Sequence, residues 1–189
     1  EKFKEKKIDI MNYLRIVELN SQIKLGPFEI DFVTLTHSIL EPNGLSITTP
    51  EGVILHTGDW KVDPNPLIGN RVDEKKLRSI GEKGVIAMIC DSTNVFSPGR
   101  AGSEKDVRES LLKIISNQKK RVLVTSFASN VARMESVFYI AKQTKRNISL
   151  VGRSMHRIYK AARQCGYLKD VIEPVDPRDA RKISKDKII

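Results

Sequence analysis

The sequence predicts an α/β protein, because strand-like apolar runs and helical periodicities follow one another along most of its 189 residues. The tripeptide Pro50-Glu51-Gly52 separates two β-rich runs and predicts a hairpin. From residue 121 onward, two strand–turn–helix units are typical of parallel strands with right-handed crossovers. With 40% hydrophobic and 30% charged residues, the composition is that of a folded chain.

Turn and capping signals place the elements of the first half. Apolar positions in residues 8–19 are compatible with a short helix or a strand, and Gly26-Pro27 ends this segment with a turn. Residues 73–84 have the pattern of a helix capped by Asp73. The continuous apolar run at residues 85–90 predicts a strand buried on both faces. Ser103, with a carboxylate three places on, predicts the start of the next helix.

The second half alternates strands with helices. Strands are expected at residues 122–125 and 148–151, and helices at residues 131–144 and 155–165. The pattern after Asp170 does not close a domain, so we expect an incomplete parallel sheet.

Both turns of these units place a hydroxyl residue where a helix begins at the carboxyl end of a strand. Free backbone N–H groups and the helix dipole make such a position a natural phosphate site. The alternative is that Ser129, Asn130 and Ser154 only cap their helices, a role worth about 1 kcal/mol each.

The sequence also indicates in which cellular compartment the chain is expected. No apolar run approaches the roughly 20 residues that cross a bilayer, so no membrane partner is expected. The two cysteines, Cys90 and Cys165, predict reduced, buried thiols in a cytoplasmic protein. The chain begins with Glu1 and lacks a signal peptide, which suggests a processed product or a piece of a longer protein.

Charge is distributed unevenly along the chain. Residues 1–60 carry 6 basic and 9 acidic side chains, whereas residues 121–189 carry 15 basic and 6 acidic ones. A basic half of this kind predicts a surface that faces a polyanion. A solvated surface that only keeps the protein soluble is the alternative.

His37 and Asp59 are candidate metal ligands, because each follows a strand-like run that would hold its side chain in a fixed position. Their separation of 22 residues is not specific for a metal site. The alternative makes His37 a hydrogen-bonded residue at a strand end and Asp59 a turn former. Asp91 follows the next strand, where the local sequence indicates an Asx turn. His56 is expected to be an inward, hydrogen-bonded strand residue, and His156 part of a basic helix face.

Four motifs occur in order: THSI at residues 36–39, HTGDWK at 56–61, DSTN at 91–94 and SFASN at 126–130. Together they resemble the ribonuclease J branch of the β-CASP nucleases, within the metallo-β-lactamase superfamily. The resemblance implies part of a metallo-β-lactamase αββα sandwich over residues 1–104. It implies part of a β-CASP domain with a mostly parallel sheet over residues 105–189.

The same resemblance assigns chemistry to the motifs. It implies that His37 binds one of two divalent metal ions and that Asp59 bridges both. It also implies that Asp91 lies near them and either handles a proton or supports a metal ligand. Zinc is the first candidate, with manganese and magnesium as alternatives. The implied reaction is phosphodiester hydrolysis by a metal-bound hydroxide, with 5′-to-3′ exonuclease and endonuclease action in RNA processing and decay.

A single-stranded RNA partner is implied for the SFASN turn. The candidate contacts are Phe127, Ala128, Ser129 and Asn130, with Arg133, Arg153, Ser154 and Arg157 as weaker candidates. Phe127 could stack on a base or belong to the core. The family also implies a homo-oligomer, a dimer or a tetramer.

The main metal motif of the superfamily, HxHxDH, is absent, as are the late β-CASP histidine motifs. The sequence is therefore interpreted as an internal portion of a longer enzyme that is inactive alone and does not bind both metals fully. One alternative is an RNA-binding or structural module without catalysis. Another is a different metallo-β-lactamase-fold hydrolase acting on a small ester or thiol ester, which predicts no basic parallel-sheet domain after residue 94.

Overall fold

The computed structural model describes residues 9–10 and 13–189, which form a mixed α/β structure. In this part of the chain one sheet has five strands in sequence order. They are β1 (Gln22–Leu25), β2 (Phe28–Thr34), β3 (Asn43–Thr49), β4 (Gly52–His56) and β5 (Val85–Ile89). Strands β1 to β4 pair antiparallel, and β5 pairs parallel to β4.

Both predicted turns join neighbouring strands. Leu25 faces Phe28 across Gly26-Pro27, and Thr49 faces Gly52 across Pro50-Glu51. Gly52 has a φ of +145°, and a β-carbon there would lie 2.8 Å from the Cγ2 atom of Ile86. A residue without a side chain is therefore needed for β5 to lie close to β4.

Helix α1 (Glu74–Glu82) connects β4 to β5 and confirms the predicted helix. Asp73 is its N-cap, and its Oδ1 accepts a hydrogen bond from the Lys76 N–H at 2.9 Å. Ile80 packs with Val33 and Val53, so the helix covers one face of the sheet.

Strand β5 is present, but the prediction that it is buried on both faces is wrong. Ile86, Met88 and Ile89 are each more than half exposed. The physical reason is its position at the edge of the described sheet, where it has a partner strand on one side only.

The second half contains four helices in the described chain and a 3₁₀ turn at Lys185–Lys187. The helices are α2 (Glu104–Ser116), α3 (Val131–Gln143), α4 (Arg153–Gln164) and α5 (Pro177–Ala180). Helix α2 begins with the predicted capping box between Ser103 and Asp106. Helix α3 forms the centre of the larger core, because Val137, Phe138, Ile140 and Ala141 are all buried.

The predicted strands at residues 122–125 and 148–151 are not paired with each other, so the mostly parallel sheet is not formed in the described residues. Both segments nevertheless alternate exposed and less exposed side chains, as strands do. One parallel bridge, between Asn147 and Ile188, marks where the chain begins to pair there.

Three further predictions concern the N-terminal segment, the two cysteines and membrane-spanning helices. Residues 8 and 11–12 lie outside the described residues, and residues 13–19 form neither the helix nor the strand considered for this segment. Cys90 and Cys165 are free thiols, but the prediction that both are buried is wrong. Cys90 is half-buried, and Cys165 is exposed because it caps the end of α4. Within the described chain, no helix combines the length and apolar character required to cross a membrane.

Candidate functional site

The backbone brings the THSI and HTGDWK motifs side by side. Thr36 and Lys61 form an antiparallel bridge, in which the Lys61 N–H donates to the Thr36 carbonyl at 2.8 Å. The buried Thr36 hydroxyl also accepts from the Asp63 N–H at 2.9 Å. His37, the next residue, is thereby held beside the segment that follows Asp59.

Asp91 joins this group from the end of β5. Its N–H donates to the Thr57 hydroxyl at 3.3 Å, and its carbonyl accepts from the Trp60 Nε1–H at 3.3 Å. His37, Trp60 and Asp91 all line one cavity of about 760 Å³. Three of the four motifs therefore meet at one place, as a shared site requires.

Asp59 is placed differently from the prediction. Strand β4 ends at His56, so Asp59 follows two residues of irregular backbone. It is exposed and absent from the lining of the cavity. In residues 9–10 and 13–189, no group of three or more His, Cys, Asp or Glu side chains is arranged to hold a metal ion. The residues present do not fit a complete metal site, since a catalytic zinc takes at least three protein ligands.

The Asp91 carboxylate is stabilised in its charged form. Hydrogen bonds from the hydroxyl and the backbone N–H of Thr93 lower its pKa, and attraction to His37 adds to this. The bonds to Thr93 form the Asx turn that was the alternative interpretation. This geometry leaves Asp91 ionised near neutral pH and able to act as an acceptor in the cavity.

The SFASN turn combines an exposed aromatic ring with a helix cap. Phe127 is 84% exposed, so the interpretation of this side chain as a core residue is wrong. Ser129 is also exposed, whereas Ala128 is half-buried. The Asn130 Oδ1 accepts from the Arg133 N–H at 2.8 Å, which confirms that Asn130 caps α3.

The second turn leads into α4 without a side-chain cap. Gly152 is the N-cap with a φ of +103°, and Arg153 and Ser154 lie exposed in the first turn. The alternative that Ser154 caps this helix is therefore wrong. Of the weaker candidates, Arg133 forms an ion pair with Glu104 at 3.4 Å, and Arg157 is half-buried.

The remaining histidines are both exposed. His156 lies on α4 as expected. His56 does not point inward, because it ends β4 at the surface, but its Nδ1 accepts from the Gly58 N–H at 3.0 Å as a hydrogen-bonded residue would.

A contact that the sequence did not predict joins the THSI motif to the helix that follows the SFASN turn. The Ala132 N–H, in the first turn of α3, donates to the Ser38 carbonyl at 3.3 Å. Leu40 packs against the core around α3, and the Tyr167 hydroxyl donates to Glu41 at 3.0 Å. The loop that follows His37 is therefore seated on the second half of the chain. The apolar pair Ile39-Leu40 in this loop was the signal available in the sequence.

Sequence analysis also did not single out Asp63, because the prolines around it indicated only a loop. Its carboxylate accepts from the Glu104 N–H at 3.0 Å and the Asn65 N–H at 2.9 Å, and it is 5% exposed. Burial alone would raise its pKa, but hydrogen bonds from Glu104, Ser103 and Asn65 and the charge of Lys61 lower it. Asp63 thus fastens the loop after HTGDWK to the start of α2.

We expect Asp63→Asn to lower the free energy of unfolding by about 1.5–3 kcal/mol, because a buried charged acceptor of two backbone N–H groups is lost. Urea denaturation measures this, with the exposed Asp59→Asn as a matched control that changes stability by less than about 0.5 kcal/mol. A carboxylate with a lowered folded-state pKa stabilises above its unfolded pKa and loses this contribution as pH falls through the folded value. The difference should therefore shrink below about pH 4. Equal losses in both variants would contradict this role.

The second half of the chain is similar to a known protein family. Residues 119–189 match the family model described as Ribonuclease J, beta-CASP domain.

Curated relatives extend the similarity over most of the sequence. The chain is 41% identical over 176 residues to Ribonuclease J of Sinorhizobium meliloti, covering 93% of this chain and 31% of that protein. It is 42% identical to Ribonuclease J of Corynebacterium glutamicum, covering 82% of this chain and 22% of that protein. It therefore spans about a third or less of the length of these relatives.

A solved structure supports the fold. A crystal structure of a protein of unknown function from Enterococcus faecalis V583 superimposes with a TM-score of 0.62 at 18% identity. The match covers 94% of this chain and 45% of that chain. At this identity the likeness establishes the fold alone.

Proposed function

We propose, from the premise that this chain belongs to the ribonuclease J family, that it forms part of a metal-dependent ribonuclease acting on single-stranded RNA. The observation that carries the proposal is the hydrogen bond between Ser38 and Ala132. Because this bond joins the residue after His37 to the first turn of α3, it supports a single surface for the candidate catalytic group and the candidate RNA turn.

RNA binding is assigned to the two turns at the helix starts. The exposed ring of Phe127 offers a flat apolar face on which a base can stack. Ser129, Arg153 and Ser154 are exposed beside the N-termini of α3 and α4, where free N–H groups and the helix dipole favour a phosphate. The excess of basic residues in this half adds attraction that depends on salt concentration.

The catalytic role is assigned to His37, Asp59 and Asp91. The described residues do not by themselves assemble a complete metal site. We propose instead that His37 and Asp59 contribute to a centre of two divalent ions whose other ligands lie outside these residues. Asp91, held ionised by Thr93, accepts a proton or a hydrogen bond in the cavity that it shares with His37.

For the longer protein we propose a cytoplasmic homo-oligomer with exonuclease and endonuclease action. The isolated chain is proposed to be inactive, because two ligands do not hold a catalytic metal pair. Incubation with labelled single-stranded RNA and zinc, manganese or magnesium should give no cleavage above the blank. Robust cleavage that a chelator abolishes would overturn this part of the proposal.

Phe127→Ala should weaken binding of single-stranded RNA by roughly 5- to 150-fold, which corresponds to the loss of about 1–3 kcal/mol of stacking on one base. The fold should be unaffected, since the ring is 84% exposed. Fluorescence anisotropy with a labelled RNA oligonucleotide measures the affinity. Tyr13→Ala is the matched control, because Tyr13 is an aromatic residue of similar exposure, 89%, outside the candidate site. Equal effects of the two substitutions would remove Phe127 from the RNA surface.

An RNA-binding module without catalysis is the second candidate. The lack of a three-ligand cluster in the described residues favours it, together with the basic second half. It differs from the first candidate in predicting that His37 is dispensable for RNA cleavage by the longer protein.

A further inference from the structure

The cavity that His37 and Asp91 share contains a tryptophan and an arginine to which the proposed function gives no role. Both Trp60 and Arg100 line it. Its volume of about 760 Å³ lies within the range of roughly 300–1,000 Å³ that is usual for sites that bind small molecules. The cavity therefore has room for a ligand such as a single nucleotide.

Trp60 is held in a fixed position at the wall of this cavity. Its Nε1–H donates to the Asp91 carbonyl at 3.3 Å, so one edge of the indole ring is already bonded. The backbone of the next residue, Lys61, is bonded to Thr36 at 2.8 Å, and the Trp60 side chain is half-buried. A fixed aromatic ring of this kind is a surface on which a nucleobase can stack.

Arg100 is a cation without a partner in its own chain. Within the part of the chain that the structure describes, its guanidinium forms no hydrogen bond or ion pair, and the side chain is exposed. Lys61, the other long basic side chain in the lining, pairs with Asp63 at 3.8 Å. A guanidinium presents its N–H donors in a planar fork that matches a phosphate. Arg100 is therefore available to bind a phosphate that enters the cavity.

The loop that carries Arg100 is fastened on both sides. Before it, a backbone hydrogen bond of 2.9 Å closes a turn over residues 94–97. After it, the Ser103 hydroxyl donates to the Asn65 carbonyl at 3.0 Å. Gly99, the residue before Arg100, has a φ of +97°, a left-handed conformation that favours glycine. The backbone around Arg100 is thus fixed beside the cavity.

Two carboxylates in the lining restrict which anions the cavity accepts. Asp91 lies beside Trp60, and Asp106 accepts from the Ser103 N–H at 3.3 Å. Both carboxylates repel a phosphate, which offsets part of its attraction to Arg100. A phosphate alone is therefore expected to bind weakly, whereas a ligand that also stacks on Trp60 gains a second contact.

We propose that this cavity binds one nucleotide of the RNA, with its base stacked on Trp60 and its phosphate bound by Arg100. The inference rests on the proposed function and adds two residues that position the substrate beside His37 and Asp91. Because base and phosphate contact different side chains, a nucleoside monophosphate binds more tightly than either part alone.

The fluorescence of Trp60 measures this binding directly, because Trp60 is the single tryptophan of the 189-residue chain. Adenosine 5′-monophosphate should quench this fluorescence when it is titrated into the chain. Adenosine should need at least about tenfold higher concentrations for the same quenching, because it lacks the group that the guanidinium binds. Inorganic phosphate should displace the monophosphate only at similarly raised concentrations, because it lacks the stacking base.

Arg100→Gln should weaken binding of the monophosphate at least about tenfold, and Arg100→Lys should weaken it less, since lysine keeps the charge without the planar fork. Arg178→Gln is the matched control, because Arg178 is an exposed arginine that does not line the cavity. It should leave the affinity unchanged. Urea denaturation should give the same stability for all three variants, since both arginine side chains are exposed.

Three results would overturn the assignment. They are equal effects of Arg100→Gln and Arg178→Gln, equal affinity for adenosine and its monophosphate, and unchanged Trp60 fluorescence with the monophosphate. Binding of labelled single-stranded RNA to the same variants separates this inference from the proposed function. RNA binding that depends on Phe127 but not on Arg100 removes the nucleotide site and leaves the proposed function standing. Quenching by the monophosphate that depends on Arg100, in a chain that does not bind RNA, keeps the site and removes that function.

Discussion

His37→Ala or Asp59→Ala, introduced into a full-length ribonuclease J that carries these residues, lowers the rate of RNA cleavage at least about a hundredfold. The reason is that each side chain is proposed to bind a catalytic metal, and even outer partners of metal ligands change activity 10- to 100-fold. Cleavage of labelled single-stranded RNA measures the rate, and metal content by mass spectrometry shows whether the ions are lost with it.

Two exposed residues of the same types serve as controls. His156→Ala and Asp170→Ala should leave the rate of cleavage at saturating RNA unchanged, since both side chains lie on the surface of the second half. If the His37 variant keeps more than half of the wild-type rate, His37 is not a metal ligand. The module without catalysis then becomes the better account of these residues.

Phe138→Ala should lower the free energy of unfolding by about 3–5 kcal/mol, which is the cost of emptying a buried aromatic position. Phe138 is 1% exposed and stacks on Tyr159 with ring centroids 5.4 Å apart. Urea denaturation followed by circular dichroism measures the change. A loss of this size is a large fraction of the roughly 5–15 kcal/mol that stabilises a typical domain.

The neighbouring Tyr139 is the matched control for this substitution. It lies on the same helix, is partly exposed, and contacts the Arg108 guanidinium at 4.8 Å from the ring centroid. Its replacement by alanine should cost about 0.5–1 kcal/mol, the value of a cation–π contact near the surface. Equal losses for the two aromatic residues would show that α3 is not the centre of the core.

Elements with strong local signals could be predicted from the sequence. Asp73 identified the start of α1, and Ser103 with Asp106 identified the start of α2. The Pro50-Glu51-Gly52 turn fixed the β3–β4 hairpin. Capping and turn residues act within a few positions along the chain, so a single sequence contains what is needed to place them.

Features that depend on distant pairing could not be predicted in the same way. The apolar run of β5 indicated burial, but burial requires partners that the edge of the described sheet does not provide. The same holds for residues 122–125, which have the pattern of a strand and lack a continuous neighbour. The role of Asp63 depends on Glu104, 41 positions away, and no local pattern marks such a contact.

Sequence analysis predicted which residues belong to the candidate site better than it predicted their positions. His37 and Asp91 do share a cavity, whereas Asp59 lies outside its lining because β4 ends at His56. Ser38 of the THSI motif contacts Ala132, in the helix that follows the SFASN turn. The two residues lie almost a hundred positions apart, so no local pattern in the sequence indicated this contact.

The most direct test of a single RNA surface is an NMR titration of the isotope-labelled chain with a short single-stranded RNA at 0.15 M salt. The account predicts that the amide signals of His37 and Ser38 shift together with those of residues 127–130 and residues 153–154. Shifts confined to the basic residues after Pro177, with no change at His37 or Phe127, would show non-specific charge attraction and contradict the account.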